Sequence, residues 1–153
     1  MQALLADIEA DTVAVAVLHH HLHPYPDYGE SNETAEHWVD SSTIRDAGLV
    51  ERFLERNGFD IVLHGHKHKA QLRETLVRDR GSNATNRLIV CGAGSSSVRS
   101  KELEHSVPNQ YQVIELLSPK RNPQAAFLRL DWRELAVSAE AEWITAWSCL
   151  VDG

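Results

Sequence analysis

Two histidine clusters each follow an apolar run, and this pairing constrains the fold more than any other feature of the chain. Residues 12–18 form an apolar, β-branched run that ends in four histidines within the five positions 19–23. Residues 59–63 lead in the same way into a segment with histidines at positions 64, 66 and 68. Runs of this composition and length predict strands that are buried on both faces of a parallel sheet.

A helix is predicted between the two strands. It begins near Thr43, with an acidic residue three positions later as a short capping box, and it ends at an Asn-Gly pair at 57–58. Its apolar stripe consists of Ala47, Val50, Phe53 and Leu54. A strand–helix–strand unit of these lengths joins parallel strands through a right-handed crossover. Both histidine clusters follow the carboxyl ends of these strands, where α/β sheets bind their ligands. His19 and His66 are therefore expected to lie close together at this end of the sheet, which we call the rim.

The residue types at this rim indicate a metal site. If the backbone stays extended after residue 63, then His64, His66 and His68 share one face. Neutral imidazole is the commonest protein ligand for transition metals, and Gly65 allows a tight turn beside an ion. The two clusters together therefore predict a site for a divalent ion.

The order of these motifs resembles the second half of the calcineurin-like metallophosphoesterases. The resemblance rests on His-His-His-x-x-Pro at 19–24 and Gly-His-x-His at 65–68, and it covers residues 4–117. Gly-Ala-Gly-Ser at 92–95 is similar to the cyclic-nucleotide-phosphodiesterase-like branch. The resemblance implies an α/β fold that is half of a four-layer α/β/β/α sandwich, with a parallel βαβ unit followed by antiparallel strands. It also implies a phosphodiesterase or phosphatase that cleaves a small phosphorylated substrate with a metal-activated water.

The same resemblance implies a role for each histidine. His19 and His66 would bind one of two divalent ions, which are manganese, iron or zinc in this family, and His68 would bind the other. His20 is the alternative upstream ligand, because four histidines in five positions leave the register open. Two further residues are expected to lie beside the ions or the substrate: His64 and Gly65.

The expected ligand set is incomplete in this sequence. The family's first half supplies an Asp-x-His, a Gly-Asp and an Asn-His, and none of these occurs in the 153 residues. We therefore expect residues 1–153 to be the carboxyl-terminal portion of one metallophosphoesterase domain without its amino-terminal half, with little activity alone. Residues 19–42 show no periodicity and are a candidate lid loop over the site.

Composition narrows the function classes. A hydrophobic fraction of 42% is enough for a packed core, and a net charge of −7 argues against a protein that coats nucleic acid or a membrane surface. No apolar stretch reaches the roughly 18 residues that predict a membrane span. Cys91 and Cys149 form no disulfide framework, which favours the cytoplasm.

Two alternative functions stay open. A histidine-triad nucleotide hydrolase would use one imidazole of residues 64–68 as a covalent nucleophile. Its intervening residues should be apolar, and Gly65 and Lys67 are not. A non-catalytic metal-binding module would keep the histidines as ligands without hydrolysis.

The remaining segments predict one more helix and several strands. Residues 1–10 have the spacing of an amphipathic helix, whereas residues 87–91, 111–117 and 125–132 have the pattern of strands. Residues 140–151 fit either a strand or a helix, with Trp143 and Trp147 as a core stripe.

Overall fold

The computed structural model describes residues 12–24, 43–78, 85–99, 103, 107–117, 125–136 and 141–152. Over these residues the elements are β1 (Val15–Leu18), α1 (Ala47–Arg56), β2 (Ile61–His64), β3 (Gln71–Arg78), β4 (Thr85–Gly92), β5 (Gln110–Leu116), β6 (Ala126–Leu135) and β7 (Trp143–Asp152). The strands form a four-stranded sheet in the order β1-β2-β4-β3 and a three-stranded sheet in the order β5-β6-β7. The predicted helix at 1–10 and residues 25–42 of the candidate lid lie outside the described residues.

The segment from β1 to β2 is the predicted parallel crossover unit. β1 pairs in parallel with β2, with Leu18 opposite His64, and β2 pairs in parallel with β4. The ladders of β3 with β4, β5 with β6, and β6 with β7 are antiparallel. A mixed α/β chain, with a parallel βαβ unit followed by antiparallel strands, is therefore confirmed.

The centre of the four-stranded sheet is covered on both faces. On one face, Leu54 of α1 packs with Val62 and Leu88. On the other face, Ile61 packs with Leu130 and its neighbours in the three-stranded sheet. Successive side chains of a strand point to opposite faces, so Ile61 and Val62 pack into the cores on opposite sides of the sheet. The described elements thus form three layers: helix, sheet and sheet.

β1 departs from the prediction of a strand buried on both faces. Ala16 is buried with the α1 core, but Val15 is 45% exposed and Val17 is 76% exposed. β1 is an edge strand of the described sheet, and its side chains on the face toward the three-stranded sheet become more exposed from Val15 to Val17. A hydrophobic run predicts a strand but does not show where in the sheet it lies.

The start of α1 also differs from the prediction. The helix begins at Ala47 rather than near Thr43, and Asp46 occupies the N-cap without a capping hydrogen bond from its side chain. Thr43 Oγ1 lies 3.2 Å from His21 Nε2, so this hydroxyl contacts the loop that follows β1 and contains the histidines. The predicted end is confirmed, because the helix stops before Gly58, which has a φ of 73°.

β7 resolves the ambiguity at residues 140–151 in favour of a strand. Trp147 pairs with Trp132, whereas Trp143 pairs with Leu135, three positions further along β6. A register shift beside Trp132 thus places the two tryptophans on opposite faces. Trp147 contacts Trp132 with 4.3 Å between ring centroids and 47° between the ring planes, but it is 53% exposed. The prediction of a core stripe is therefore wrong.

Gly94 is required where the turn after β4 approaches β5. A Cβ at this position would lie 2.5 Å from the Gln110 Cβ and 3.0 Å from the Gln110 carbonyl oxygen. Gly94→Ala should therefore lower the free energy of unfolding by about 1–3 kcal/mol, as measured by urea denaturation.

Gly48 in α1 provides a matched control, because a Cβ there would meet no atom within 4 Å. Gly48→Ala should raise the free energy of unfolding by up to about 1 kcal/mol. Similar effects from the two substitutions would show that the close approach at Gly94 does not constrain the fold.

Candidate metal centre

The carboxyl ends of β1 and β2 bring the two histidine clusters together. His19 directly follows β1, and the parallel register places Leu18 beside His64. The Gly65 N–H donates to the His19 carbonyl oxygen at 3.3 Å, which joins the two loops. As a result, His66 Nδ1 lies 3.1 Å from His19 Nε2, although the residues are 47 positions apart. The predicted meeting of His19 and His66 is confirmed.

His20 completes a group of three exposed imidazoles. One nitrogen each from His19, His20 and His66 lies within 4.8 Å of the others. The ring centroids are 4.8 Å apart for His19 and His20, 5.0 Å for His19 and His66, and 4.6 Å for His20 and His66. Both residues that the sequence offered as the upstream ligand therefore lie at the site.

The spacing of these nitrogens suits a single ion. With Zn–N distances of about 2.0–2.1 Å, the nitrogens of a tetrahedral site lie about 3.4 Å apart. The 3.1 Å between His19 Nε2 and His66 Nδ1 is close to this value. Since all three rings are exposed, small rotations can bring in the third nitrogen. A fourth ligand position would face solvent, as in catalytic zinc sites.

The backbone turns sharply after β2, which corrects the prediction that His64, His66 and His68 share one face. β2 ends at His64, and His66 and His68 have φ values of 77° and 54°. Non-glycine residues in this region cost about 1–3 kcal/mol each and cluster at functional sites. The turn directs His66 toward His19 and His20. His68 is exposed and is not in the group of three. Its role as a ligand of a second ion stays a prediction.

Two buried histidines lie beneath the exposed group. His21 is fully buried and His64 is nearly so, and their ring centroids are 6.0 Å apart. The His21 ring centroid lies 6.4 Å from that of His66. Burial lowers the pKa of His64, so its ring is neutral at neutral pH. Gly65, also expected near the site, contributes the backbone contact with His19. The burial of His21 beside His66 was not predicted; the only indication in the sequence is that His21 belongs to the histidine run.

The loop that carries His19 and His20 is held by the α1 segment. The Ile44 N–H donates to the His21 carbonyl oxygen at 3.1 Å. His23 Nε2 lies 3.3 Å from Glu51 Oε1 on α1. The hydrogen bond from Ile44 and the burial of Leu22 in the α1 core hold this loop against α1.

The protonation of His66 favours metal binding. Desolvation, followed by the positive charges that His20 and His19 can carry, lowers the pKa of His66. The ring is therefore neutral at neutral pH, which is the form that binds an ion.

Comparison of the chain with models of protein families found no match, and a search of curated proteins also found none. No helix in the described part of the chain is long and apolar enough to cross a membrane.

Proposed function

We propose that the chain is the carboxyl-terminal part of a metal-dependent phosphoesterase domain in which His19, His20 and His66 bind a divalent ion. The observation that carries this proposal is the convergence of three imidazole nitrogens within 4.8 Å at the ends of adjacent parallel strands. An ion held there would activate a water and offset the charge that develops on the phosphoryl oxygens of a small substrate.

The charge of the protein supports this choice of ligands. The chain carries a net charge of −7, so a phosphate ester needs a local source of positive charge. Imidazoles are neutral when they coordinate, and they leave the charge of the ion available to the substrate. Exposure of all three rings leaves the site open to a phosphate group from solvent.

The layers of the fold support the same proposal. α1, the four-stranded sheet and the three-stranded sheet are three successive layers of the α/β/β/α order that the resemblance implies. Among the described residues, β1 is an edge strand on which Val15 is partly exposed and Val17 is largely exposed. An exposed strand edge with apolar side chains is a surface that further strands can extend. We propose that the remaining ligands, and His68 with a second manganese, iron or zinc ion, complete the site in a longer polypeptide.

A metal-binding module without hydrolysis is the second candidate. It is favoured by the absence of a carboxylate from the group of three in the described residues, since the resemblance implies a dinuclear site bridged by a carboxylate. The histidine-triad alternative is less favoured, because the turn after His64 removes the extended strand on which its three imidazoles would lie.

Calorimetric titration with Zn²⁺ and Mn²⁺, followed by an assay with bis(4-nitrophenyl) phosphate, tests the proposal. We expect one tightly bound ion and little hydrolysis by this chain. The coding sequence upstream of Met1 should supply Asp-x-His, Gly-Asp and Asn-His, and the longer protein should hydrolyse the ester. Ion binding without hydrolysis by the longer protein would support the module. Failure to bind either ion would contradict both candidates.

A further inference from the structure

The spacing of the three exposed imidazoles depends on the register of β1 on β2. β1 is four residues long, and among the described strands it pairs with β2 alone. The observed register places Leu18 beside His64 and so determines where His19 lies relative to His66. Whatever selects this register therefore also positions the metal ligands.

The side chains of the β1 segment distinguish poorly between registers that differ by two residues. Residues 13–17 alternate strictly between valine and alanine. The valines share the face on which Val13 packs against the core between the sheets, and the alanines share the face on which Ala16 is buried in the α1 core. A shift of two residues would replace valine with valine and alanine with alanine over most of this run. The pattern thus disfavours a one-residue shift much more than a two-residue shift.

A two-residue shift would separate the group of three imidazoles. At a rise of about 3.3 Å per residue, it would move His19 by about 6.6 Å along the strand. His66 Nδ1 and His19 Nε2 are now 3.1 Å apart, and after such a shift they would be too far apart to bind one ion. The site therefore requires a device that excludes this shift.

Backbone hydrogen bonds do not exclude it, because every residue of the strand carries the same N–H and C=O groups. Asp60 Oδ2 accepts from the Ala14 N–H at 2.8 Å, and the Asp60 N–H donates to the Ala14 carbonyl oxygen at 2.9 Å. After a two-residue shift, the same groups of another residue would take these places. The register must therefore be selected by side chains that differ along the chain.

Leu22 is such a side chain. It is 2% exposed and packs in the α1 core with Leu54 and Val62. A shift of two residues would bring His20 or Pro24 to its place. Either replacement would leave a buried apolar site without a side chain that fits it. The α1 core therefore accepts this loop in the observed register.

Leu22 is also close to the ligands along the chain. It follows His20 by two residues, and the His21 carbonyl oxygen between them accepts from the Ile44 N–H at 3.1 Å. So short a connection leaves little freedom. The position of Leu22 therefore determines the positions of His19 and His20.

We propose that Leu22 is a positioning residue for the metal centre: by packing in the α1 core, it selects the register of β1 in which His19 and His20 meet His66. Leu22 acts through these imidazoles and is not itself a ligand. The inference rests on the proposed function, because it takes the three imidazoles as the ligands of the ion.

Leu22→Ala and Leu22→Met in the full chain test this role. Truncation to alanine leaves the α1 core unfilled, so the zinc affinity should fall about tenfold or more. The nuclear Overhauser effect between the methyl groups of Val17 and Leu63, which are partners in the observed register, should weaken in the metal-free chain. Methionine nearly conserves the volume of leucine, so Leu22→Met should keep the zinc affinity within about threefold of the wild type.

Val151→Ala is the matched control, because Val151 is equally buried but lies on β7 in the core between the sheets. It should lower the resistance to urea and leave both the zinc affinity and the Val17–Leu63 signal unchanged. If Leu22→Ala does not fold, as judged by circular dichroism, Leu22→Val allows the same comparison.

An unchanged zinc affinity and an unchanged Val17–Leu63 signal in Leu22→Ala would overturn the role of Leu22. An equal loss of zinc affinity in Val151→Ala would also overturn it, since the effect would then be one of stability alone. A wild-type chain that binds no zinc would contradict the proposed function instead. The methyl signal is measured without metal, so it decides the role of Leu22 in the register in that case too.

Discussion

Replacing His66 with glutamine should weaken zinc binding by at least about 100-fold. Changes in the groups that merely orient metal ligands cost about 10- to 100-fold in affinity, so loss of one direct ligand out of three should cost at least the upper value. The 3.1 Å contact between His66 Nδ1 and His19 Nε2 makes His66 the link between the two strand ends. Competition with a chromophoric chelator measures the affinity of the variant relative to the wild type.

His68→Gln is the matched control for this experiment. His68 lies in the same loop, is also exposed, and also has a positive φ, so the two substitutions disturb the backbone to a similar extent. Zinc affinity of this variant should stay within about threefold of the wild type, because His68 is outside the group of three. An equal loss in both variants would contradict the assignment of the ion to His19, His20 and His66.

The uncovered face of β1 should make the isolated chain self-associate and bind a hydrophobic dye. In the part of the chain that the structure describes, Val15 and Val17 are exposed on an edge strand, and edge strands with apolar side chains are prone to pair with another chain. Burial of one valine side chain in an interface is worth about 1.5–3 kcal/mol, so Val17→Lys should weaken self-association by about tenfold or more. Analytical ultracentrifugation and dye fluorescence measure the two effects.

Leu49→Lys tests whether any exposed leucine or valine would behave in this way. Leu49 lies on α1 and is nearly as exposed as Val17, but it is not on a strand edge. The substitution should leave self-association and dye binding close to those of the wild type. A wild-type chain that is monomeric, melts cooperatively and binds no dye would show that the β1 face is not an interaction surface.

The sequence predicted that the two histidine clusters meet at one end of the sheet. Two apolar runs with a helix between them indicate a pair of parallel strands, and each cluster follows one of these strands. This pairing brings His19 and His66 together wherever the unit lies in the sheet. It does not determine which strand is at the edge. The exposed face of Val17 depends on how far the second sheet reaches, and a hydrophobic pattern carries no information about that distance.

The details of the site depended on backbone geometry that residue spacing does not encode. The alternation of histidines at 64, 66 and 68 would have placed them on one face of a strand, but positive φ values at His66 and His68 end the extended conformation. The same turn places the ring of His66 beside that of His20, with 4.6 Å between their centroids. A register shift in β6 likewise separated Trp143 from Trp147, which regular spacing placed together.

The most direct test of the metal centre is a zinc titration of the full chain followed by ¹⁵N NMR of the histidine side chains. At one equivalent of zinc, the imidazole signals of His19, His20 and His66 should move to the positions of metal-bound nitrogens. The buried rings of His21 and His64 should stay unligated. If the His19 and His66 signals do not change when zinc binds, the three imidazoles are not the ligands and the proposed centre is wrong.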